Sequence, residues 1–220
     1  APCVMYQDTE FGQEILEGAR DQAKAMNVKI AAESGHKPTD TDFTGAIAKL
    51  REAKCDLVVM GTIVRDTIIP YATARKLGWD VPFVGTSASY ENVVATAQGG
   101  VTEGFHALNG QEVLYPDDAR QPAAKAFFER YKAKFNQDAF YPAQLGYGLA
   151  DMIVDALQRA GKDLTTAAFL KAFESIKDRP GPLGGPPITF TAERHLGSEL
   201  VFLAVVEKGR WKSVERNLKY

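Results

Sequence analysis

Histidine, aspartate and cysteine side chains are the groups in this chain that could carry acid–base, metal or thiol chemistry. The histidines are His36, His106 and His195. They stand far apart in the sequence and none lies in a recognisable metal or nucleophile motif, which favours surface or hydrogen-bonded histidines. The pair Asp40 and Asp42 comes just before a predicted helix, where carboxylates cap the helix and complement its dipole. The sequence therefore predicts no catalytic residues and no enzyme.

The glycines and cysteines give no sign of a cofactor. Gly12 and Gly18 lack the spacing of a dinucleotide fingerprint, and the segment GPLGGPP lacks the lysine and the following helix of a phosphate-binding loop. Cys3 and Cys55 are too few and too far apart for a zinc site. A single disulfide and two buried thiols are both compatible with the spacing. We expect no cofactor and no metal.

The composition is that of a globular protein. The 220 residues are 45 % hydrophobic and 25 % charged, and the formal net charge is −2. Ordinary composition argues against disordered and fibrous classes. Basic residues form no run, so we expect no nucleic-acid partner. No stretch approaches the ~20 apolar residues that a membrane-spanning helix needs.

Strands and helices alternate over the first hundred residues. Apolar runs predict strands over Cys3–Gln7, Val28–Ser34, Asp56–Gly61 and Val81–Gly85. Between them, apolar residues recur at helical spacing, and the helix Arg65–Leu77 ends at Gly78, the usual stop residue. Strands that are apolar on both faces and separated by helices are typical of a parallel sheet covered on both sides. We predict an α/β protein with a doubly wound parallel sheet.

The pattern changes after Gly100. A fifth strand is predicted in VTEGFHAL, and three helices without intervening strands follow within Asp117–Phe173. After a stiff connector, ITFT and ELVFLAVVEKGRWKSVE predict two strands, the second turning at Lys208–Gly209. Each of the three helices has a wide apolar stripe with no strand to cover it. We therefore expect a partner chain or a missing lobe to cover the helices of residues 117–173.

The loops after the strands form the candidate binding site, because open α/β sheets bind ligands at the carboxyl ends of their strands. The first loop leads to Phe11, which either stacks on a ligand or is the first core residue of its helix; apolar helix residues are more often core. The same geometry brings Gly61–Val64 and Thr86–Tyr90 to this edge of the sheet. Together the three loops predict half of a pocket.

Five segments, in their order along the chain, resemble the type I periplasmic substrate-binding proteins of ABC transporters. The segments are YQDTEFGQEILEGAR, DTDFTGAIAKLREAKCDLVVMGT, ARKLGWDVPFVGTSA, GVTEGFHAL and YPAQLGYGLADMIVDAL. They span nearly the whole chain, and the most similar branch binds branched-chain amino acids and aromatic acids. The resemblance implies a small-molecule ligand, an ABC permease as partner, and a periplasmic location after removal of a signal peptide.

The resemblance also implies a domain organisation of two lobes that close on the ligand. Residues 1–106 and 188–220 would form the ligand-binding C-terminal lobe. Residues 110–180 would supply helices to an incomplete N-terminal lobe, so that the chain would be a fragment without roughly the first third of such a protein. Cys3 and Cys55 would then lie at the starts of neighbouring strands, where a disulfide depends on the register.

A half-site follows from the resemblance, residue by residue. Its members would be Phe11, Asp8, Thr62, Ile63, Thr86, Ser87, Ser89 and Tyr90. Amino-acid-binding members often carry an acidic residue at the position of Ser87, which receives the ligand's ammonium group. Because a buried ammonium without a countercharge costs several kcal/mol, Ser87 favours an aromatic acid of the benzoate or hydroxycinnamate type, unless Asp8 or Asp66 substitutes.

Three other functions stay open at this stage. A branched-chain amino acid could be the ligand, and the same two-lobed architecture could serve as the sensing domain of a regulatory system. A nucleotide-dependent enzyme is the third, and the missing phosphate loop argues against it. Fold resemblance alone does not decide among them.

Overall fold

A computed structural model of the chain describes residues 1–118 and 122–219. Residues 119–121, which fall in the predicted helical range 117–173, and residue 220, at the end of the predicted range 188–220, lie outside the described residues. The chain divides into two compact units. The first comprises Ala1–Asn109 with Leu203–Val214, and the second comprises Gly110–Phe202 with Glu215–Tyr220. The assignment of these units to the two lobes stays a prediction.

Five short strands alternate with helices up to residue 109. The strands are β1 Pro2–Gln7, β2 Ala32–His36, β3 Leu57–Gly61, β4 Phe83–Gly85 and β5 His106–Asn109. The α-helices between them are α1 Glu10–Ala25, α2 Thr44–Glu52, α3 Val64–Lys76 and α4 Asn92–Ala95, with 3-10 turns at Ser87–Ser89 and Gln98–Gly100. The predicted stop of α3 is confirmed, since Gly78 adopts a φ of 68° directly after the helix.

The remaining elements comprise helices and a strand pair. They are a 3-10 turn at Pro116–Asp118, α5 Pro122–Phe135, α6 Tyr141–Ala160, α7 Thr166–Glu174, β6 Leu200–Glu207 and β7 Arg210–Lys219. The turn between β6 and β7 falls at Lys208 and Gly209, as predicted, and both residues have positive φ, which suits a two-residue hairpin turn. None of the described helices combines the length and the apolarity that a bilayer crossing needs.

The strands form one sheet in the order β2-β1-β3-β4-β5-β6-β7. Neighbouring strands from β2 to β5 are parallel. The chain starts in the middle of this order, moves to one edge and then crosses back past β1, which is the doubly wound pattern. The predicted α/β fold with a doubly wound parallel sheet is confirmed.

Three predicted strands need correction. β2 begins at Ala32 rather than Val28, because the Val28 amide is used to bond the carbonyl of Ala23 at the end of α1. β5 begins at His106, because a turn containing Gly104, with a φ of 80°, precedes it. ITFT forms no ladder: Ile188 pairs with Arg179 and Thr191 with Arg194. The backbone groups of ITFT hydrogen-bond to several separate segments and not to one neighbouring strand.

The two cysteines form a disulfide. The Cys3 and Cys55 α-carbons lie 5.7 Å apart, within the usual range for such a bond. Cys3 belongs to β1, and Cys55 comes two residues before the neighbouring parallel strand β3. Both residues are buried. The alternative of two free thiols is thereby excluded.

Helices α5 to α7 bury part of their apolar surface within the second unit. One cluster groups Phe127 and Phe128 of α5 with Leu183 of the connector, and another packs Ala156 of α6 against Ile176 and Phe190. Other apolar side chains of these helices are exposed. Leu149, Ile153, Val154 and Leu170 are between 45 % and 50 % exposed.

Candidate functional site

The loops after β1, β3 and β4 share one edge of the sheet. Tyr6 pairs with Gly61, and Met60 pairs with Gly85, so the three parallel strands end close to the same level. Each loop leads directly into a helix or a 3-10 turn. Such an edge presents loop side chains and the amino ends of helices to a ligand. The three predicted loops are therefore brought together.

Five of the eight predicted site residues present side chains to solvent at this edge. Asp8 and Ser87 are exposed, Ile63 is 45 % exposed, and Phe11 and Thr86 are half-buried. Phe11 lies in the first turn of α1, next to the loop. A carboxylate, an aromatic ring, an aliphatic side chain and two hydroxyl-bearing side chains thus line the carboxyl edge. These groups suit a partly apolar ligand with a few hydrogen-bonding substituents.

The other three predicted site residues are buried. The hydroxyl groups of Thr62 and Thr67 lie 2.6 Å apart in the interior. The Ser89 hydroxyl donates to the Thr86 carbonyl at 2.9 Å. The Tyr90 ring is buried with its centroid 4.6 Å from that of Trp211. The side chains of Thr62, Ser89 and Tyr90 support the loops in this structure, and their contact with a ligand stays a prediction.

The turn after β4 leaves Ser87 accessible for a structural reason. Gly85, the last residue of β4, lies so close to Ser89 that a methyl group at position 85 would overlap its side chain. The Thr86 hydroxyl accepts a hydrogen bond from the Ala88 amide at 3.4 Å and caps the short 3-10 turn. With Thr86 and Ser89 occupied inside the turn, the exposed hydroxyl belongs to Ser87.

Asp66 is held by three hydrogen-bonding groups in the interior, and sequence reasoning missed this arrangement. Its Oδ2 accepts a hydrogen bond from Gln7 Nε2 at 3.1 Å and lies 2.7 Å from His36 Nε2. Its Oδ1 accepts from the Ile63 amide at 3.2 Å. Asp66 is fully buried, and both of its carboxylate oxygens are already bonded to protein groups. The available sequence signal was an aspartate in the first turn of the helix after β3.

Asp8 is the remaining carboxylate among the predicted countercharges. It is exposed, and its Oδ1 accepts a hydrogen bond from Gln13 Nε2 at 3.1 Å. The backbone amide of Asp8 donates to the His36 carbonyl at 2.7 Å. Asp8 also borders an open groove that Tyr6, His36 and Asp40 line. It can therefore face a solute without leaving its position in the loop.

The three histidines lie in three different surroundings. His36 is buried against Asp66, and its ring meets Phe43 edge-on at 5.1 Å. Burial lowers the pKa of His106, and the charge of Arg75 acts in the same direction against a backbone hydrogen bond at Gly104. His195 is exposed, with Nε2 3.0 Å from a Glu174 carboxylate oxygen. Within residues 1–118 and 122–219, no three His, Cys, Asp or Glu side chains converge to hold a metal ion.

The half-site geometry agrees with the result of comparison with known protein families. A family model described as periplasmic binding protein matches residues 2–210. The chain belongs to the periplasmic binding protein family. The resemblance inferred from the sequence is confirmed at this level.

Relatives within the periplasmic binding protein family are distant in sequence. The Leu/Ile/Val-binding protein homolog 8 of Brucella abortus (strain 2308) is 24 % identical over 135 residues, which are 60 % of this chain and 33 % of that protein. The match thus spans about a third of the length of this curated relative.

Solved structures share the fold over nearly the whole chain. A branched chain amino acid ABC transporter from Thermus thermophilus with bound valine superposes with a TM-score of 0.85 at 17 % identity, covering 100 % of this chain and 60 % of that one. A fatty acid ABC transporter substrate-binding protein from Thermomonospora curvata gives a TM-score of 0.85 at 24 % identity, covering 100 % and 57 %. A solute binding protein from R. palustris in complex with benzoate gives 0.76 at 16 %, covering 99 % and 58 %.

Proposed function

We propose that this chain is part of the solute-binding component of an ABC importer, located in the periplasm, which holds a small organic acid and delivers it to a membrane permease. The single observation that carries this proposal is the match of the periplasmic binding protein family over residues 2–210. The disulfide between Cys3 and Cys55 supports an oxidising, extracytoplasmic compartment. The protein is a binding protein, not an enzyme.

Our preferred ligand is an aromatic acid without an amine, of the benzoate or hydroxycinnamate type. The exposed side chain of the β4 loop is the neutral Ser87, and Asp66 is already committed to three partners. Transfer of an ammonium group into a closed cleft without a countercharge is unfavourable by several kcal/mol. Phe11 would flank the aromatic ring, and Ser87 would bond hydroxyl substituents.

A branched-chain amino acid is the second candidate, and Asp8 is the observation that favours it. Its carboxylate is exposed at the same edge of the sheet as Ile63 and Phe11. In this alternative Asp8 would pair with the ligand ammonium, and Ile63 would contact the aliphatic side chain. A solved structure of this fold from Thermus thermophilus has bound valine, which supports such a ligand.

We also propose that residues 1–106 and 188–220 form the C-terminal lobe, which carries the half-site described above, and that residues 110–180 supply helices to the other lobe. The half-exposed apolar residues of α6 and α7 support a further element that covers these helices, either a missing lobe or a partner chain. This chain covers 60 % and 57 % of the two solved structures that superpose with a TM-score of 0.85. That partial coverage is compatible with a missing lobe.

A thermal-shift screen tests the ligand class. The protein is expressed from its complete reading frame and heated with benzoate, 4-coumarate, leucine, valine or phenylalanine. A ligand at 100 times its dissociation constant stabilises by about 2.7 kcal/mol, which raises the melting temperature by several degrees. We expect the aromatic acids alone to give this shift. A shift with leucine or valine alone would contradict the preferred ligand and support the Asp8 alternative.

Two variants separate the candidates further. Ser87→Asp places a carboxylate in the β4 loop and should weaken benzoate binding through repulsion and desolvation. Asp8→Asn, its matched counterpart in the β1 loop, should leave benzoate binding within a few-fold and abolish any leucine binding. Leucine binding that Asp8→Asn abolishes, with no benzoate binding by the unchanged protein, would identify an amino-acid ligand.

A further inference from the structure

We propose that Asp66 is a positioning residue that sets the geometry of the ligand-binding loops after β1 and β3, together with the end of β2. This inference rests on the proposed function, because it assigns a role to the same edge of the sheet. Asp66 lies beneath this edge and is fully buried.

The three bonds of Asp66 reach three separate segments of the chain. Gln7 is the last residue of β1, His36 is the last residue of β2, and Ile63 starts the turn into α3. Gln7 and His36 are 59 and 30 residues away from Asp66 in the sequence. One carboxylate therefore ties together the ends of two strands and the turn that follows a third.

Two of the three tied segments contain or continue directly into a residue of the half-site, and the third, the end of β2, is bonded to one of them. Gln7 precedes Asp8, whose own amide bonds the His36 carbonyl at 2.7 Å. The Ile63 amide that Asp66 accepts from belongs to the residue whose side chain is 45 % exposed at the edge. Displacement of the carboxylate would move these loops relative to each other. Solute affinity should respond, because a binding site loses affinity when its loops must be ordered during binding.

A neighbouring contact strengthens the same connection. Arg65, next to Asp66 in α3, donates from Nη2 to the Pro38 carbonyl, just beyond β2. The start of α3 is thus bonded both to the end of β2 and to the segment that follows it. The buried carboxylate carries the part of this connection that water does not screen.

Asp66→Asn tests the role with little change in volume. The carboxamide oxygen can still accept a hydrogen bond from the Ile63 amide. Gln7 Nε2 and His36 Nε2 then face an NH₂ group, or at best a neutral oxygen, in place of a charged carboxylate oxygen. We expect benzoate to bind at least 10-fold more weakly, measured by calorimetry well below the melting temperature. Gln7→Met removes one of the three bonds of Asp66, together with the bond that Gln7 Oε1 accepts from Thr9 Oγ1 at 3.3 Å. It should cost a smaller factor and serves if Asp66→Asn does not fold.

A destabilised control separates positioning from loss of stability. Ile47 of α2 is fully buried, so Ile47→Ala creates a cavity beneath this helix and should lower the melting temperature. Its benzoate affinity should equal that of the unchanged protein. Equal affinities for Asp66→Asn and the unchanged protein, or an equal loss in Ile47→Ala, would overturn the positioning role.

Hydrogen exchange of the ligand-free protein gives a readout that does not depend on the ligand. The Asp8 amide bonds the His36 carbonyl and not Asp66, yet Asp66→Asn should increase the exchange rate of this amide at least 10-fold. In Ile47→Ala, exchange at Asp8 should increase no more than the lower global stability of that variant explains. Unchanged exchange at Asp8 would overturn the inference. If benzoate fails to bind the unchanged protein but Asp8 exchange responds, the ligand proposal fails and the positioning role stands.

Discussion

Gly12 in α1 lies directly against the carbonyl oxygen of Gln7 at the end of β1, with no space for a side chain between them. A methyl group at position 12 would overlap the Gln7 carbonyl. Because both partners are backbone atoms, the contact cannot relax by a change of rotamer. The helix therefore approaches the strand at a distance that only glycine permits.

Gly12→Ala should destabilise the protein strongly for this reason. Overpacking against backbone typically costs about 1–3 kcal/mol, and we expect the upper part of this range in urea unfolding. Gly18→Ala is the matched control in the same helix, where nothing lies within 4 Å of the added methyl group. It should stabilise by about 0.5–1 kcal/mol. Equal effects of the two substitutions would contradict the close approach.

Removal of the disulfide should lower the free energy of unfolding by roughly 2–4 kcal/mol, because the bond closes a long loop of the unfolded chain. The two cysteines are 52 residues apart. The test is urea unfolding of the double variant Cys3→Ser with Cys55→Ser, with and without reductant. Reductant should destabilise the unchanged protein and leave the double variant unaffected. No response of the unchanged protein would mean that the bond is absent.

Gln144 should be the most sensitive polar residue of α6. Its side chain bonds both the amide and the carbonyl of Leu114 at 2.9 Å and the carbonyl of Ala139 at 3.2 Å, and it is fully buried. Gln144→Met leaves these groups without partners and should cost about 2–4 kcal/mol. Gln158→Met on an exposed position of the same helix should change stability by less than about 0.5 kcal/mol. Similar melting temperatures of the two variants would refute this role.

His106 should make stability depend on pH below neutrality. Burial lowers the pKa of His106 from its ordinary value of 6.5, so the unfolded chain binds a proton at a higher pH than the folded protein does. The contribution of neutral His106 to the free energy of unfolding is therefore complete above pH 6.5. It decreases as the pH falls from 6.5 to the lower pKa of His106 in the folded protein.

The measurement is urea unfolding of the unchanged protein and of His106→Gln between pH 7.5 and pH 5. We expect the unchanged protein to lose more stability on acidification, so that the two curves converge or cross at low pH. Carboxylates elsewhere contribute equally to both proteins and cancel in the difference. Parallel curves would show that His106 titrates alike in both states.

Short-range patterns were sufficient to predict most elements and the edge of the sheet that carries the loops. Continuous apolar strands separated by helical spacing led to the parallel sheet, and Lys208–Gly209 marked a hairpin turn that the structure confirms. The strand predicted over ITFT was wrong, because Ile188 and Thr191 form isolated bridges with Arg179 and Arg194 instead of a ladder. A short sequence pattern does not tell which backbone partner pairs with a segment.

Side-chain roles within the loops could not be predicted from the same patterns. Thr62 and Ser87 are both small hydroxyl residues shortly after a strand, yet one is buried against Thr67 and the other is exposed. The difference arises from the path of each turn. In the β4 loop, Ser89 fills the space above Gly85 and leaves Ser87 outside.

By itself, the sequence determined the α/β class, the order of strands and helices and the resemblance to a binding-protein family, because these depend on local periodicity and on residue order. Only the tertiary structure decided that Cys3 bonds Cys55 and that Asp66 gathers Gln7 and His36. These partners are 30 to 59 residues apart. Their contacts depend on strand register and helix placement, which arise from packing of the whole unit and not from any single stretch of chain.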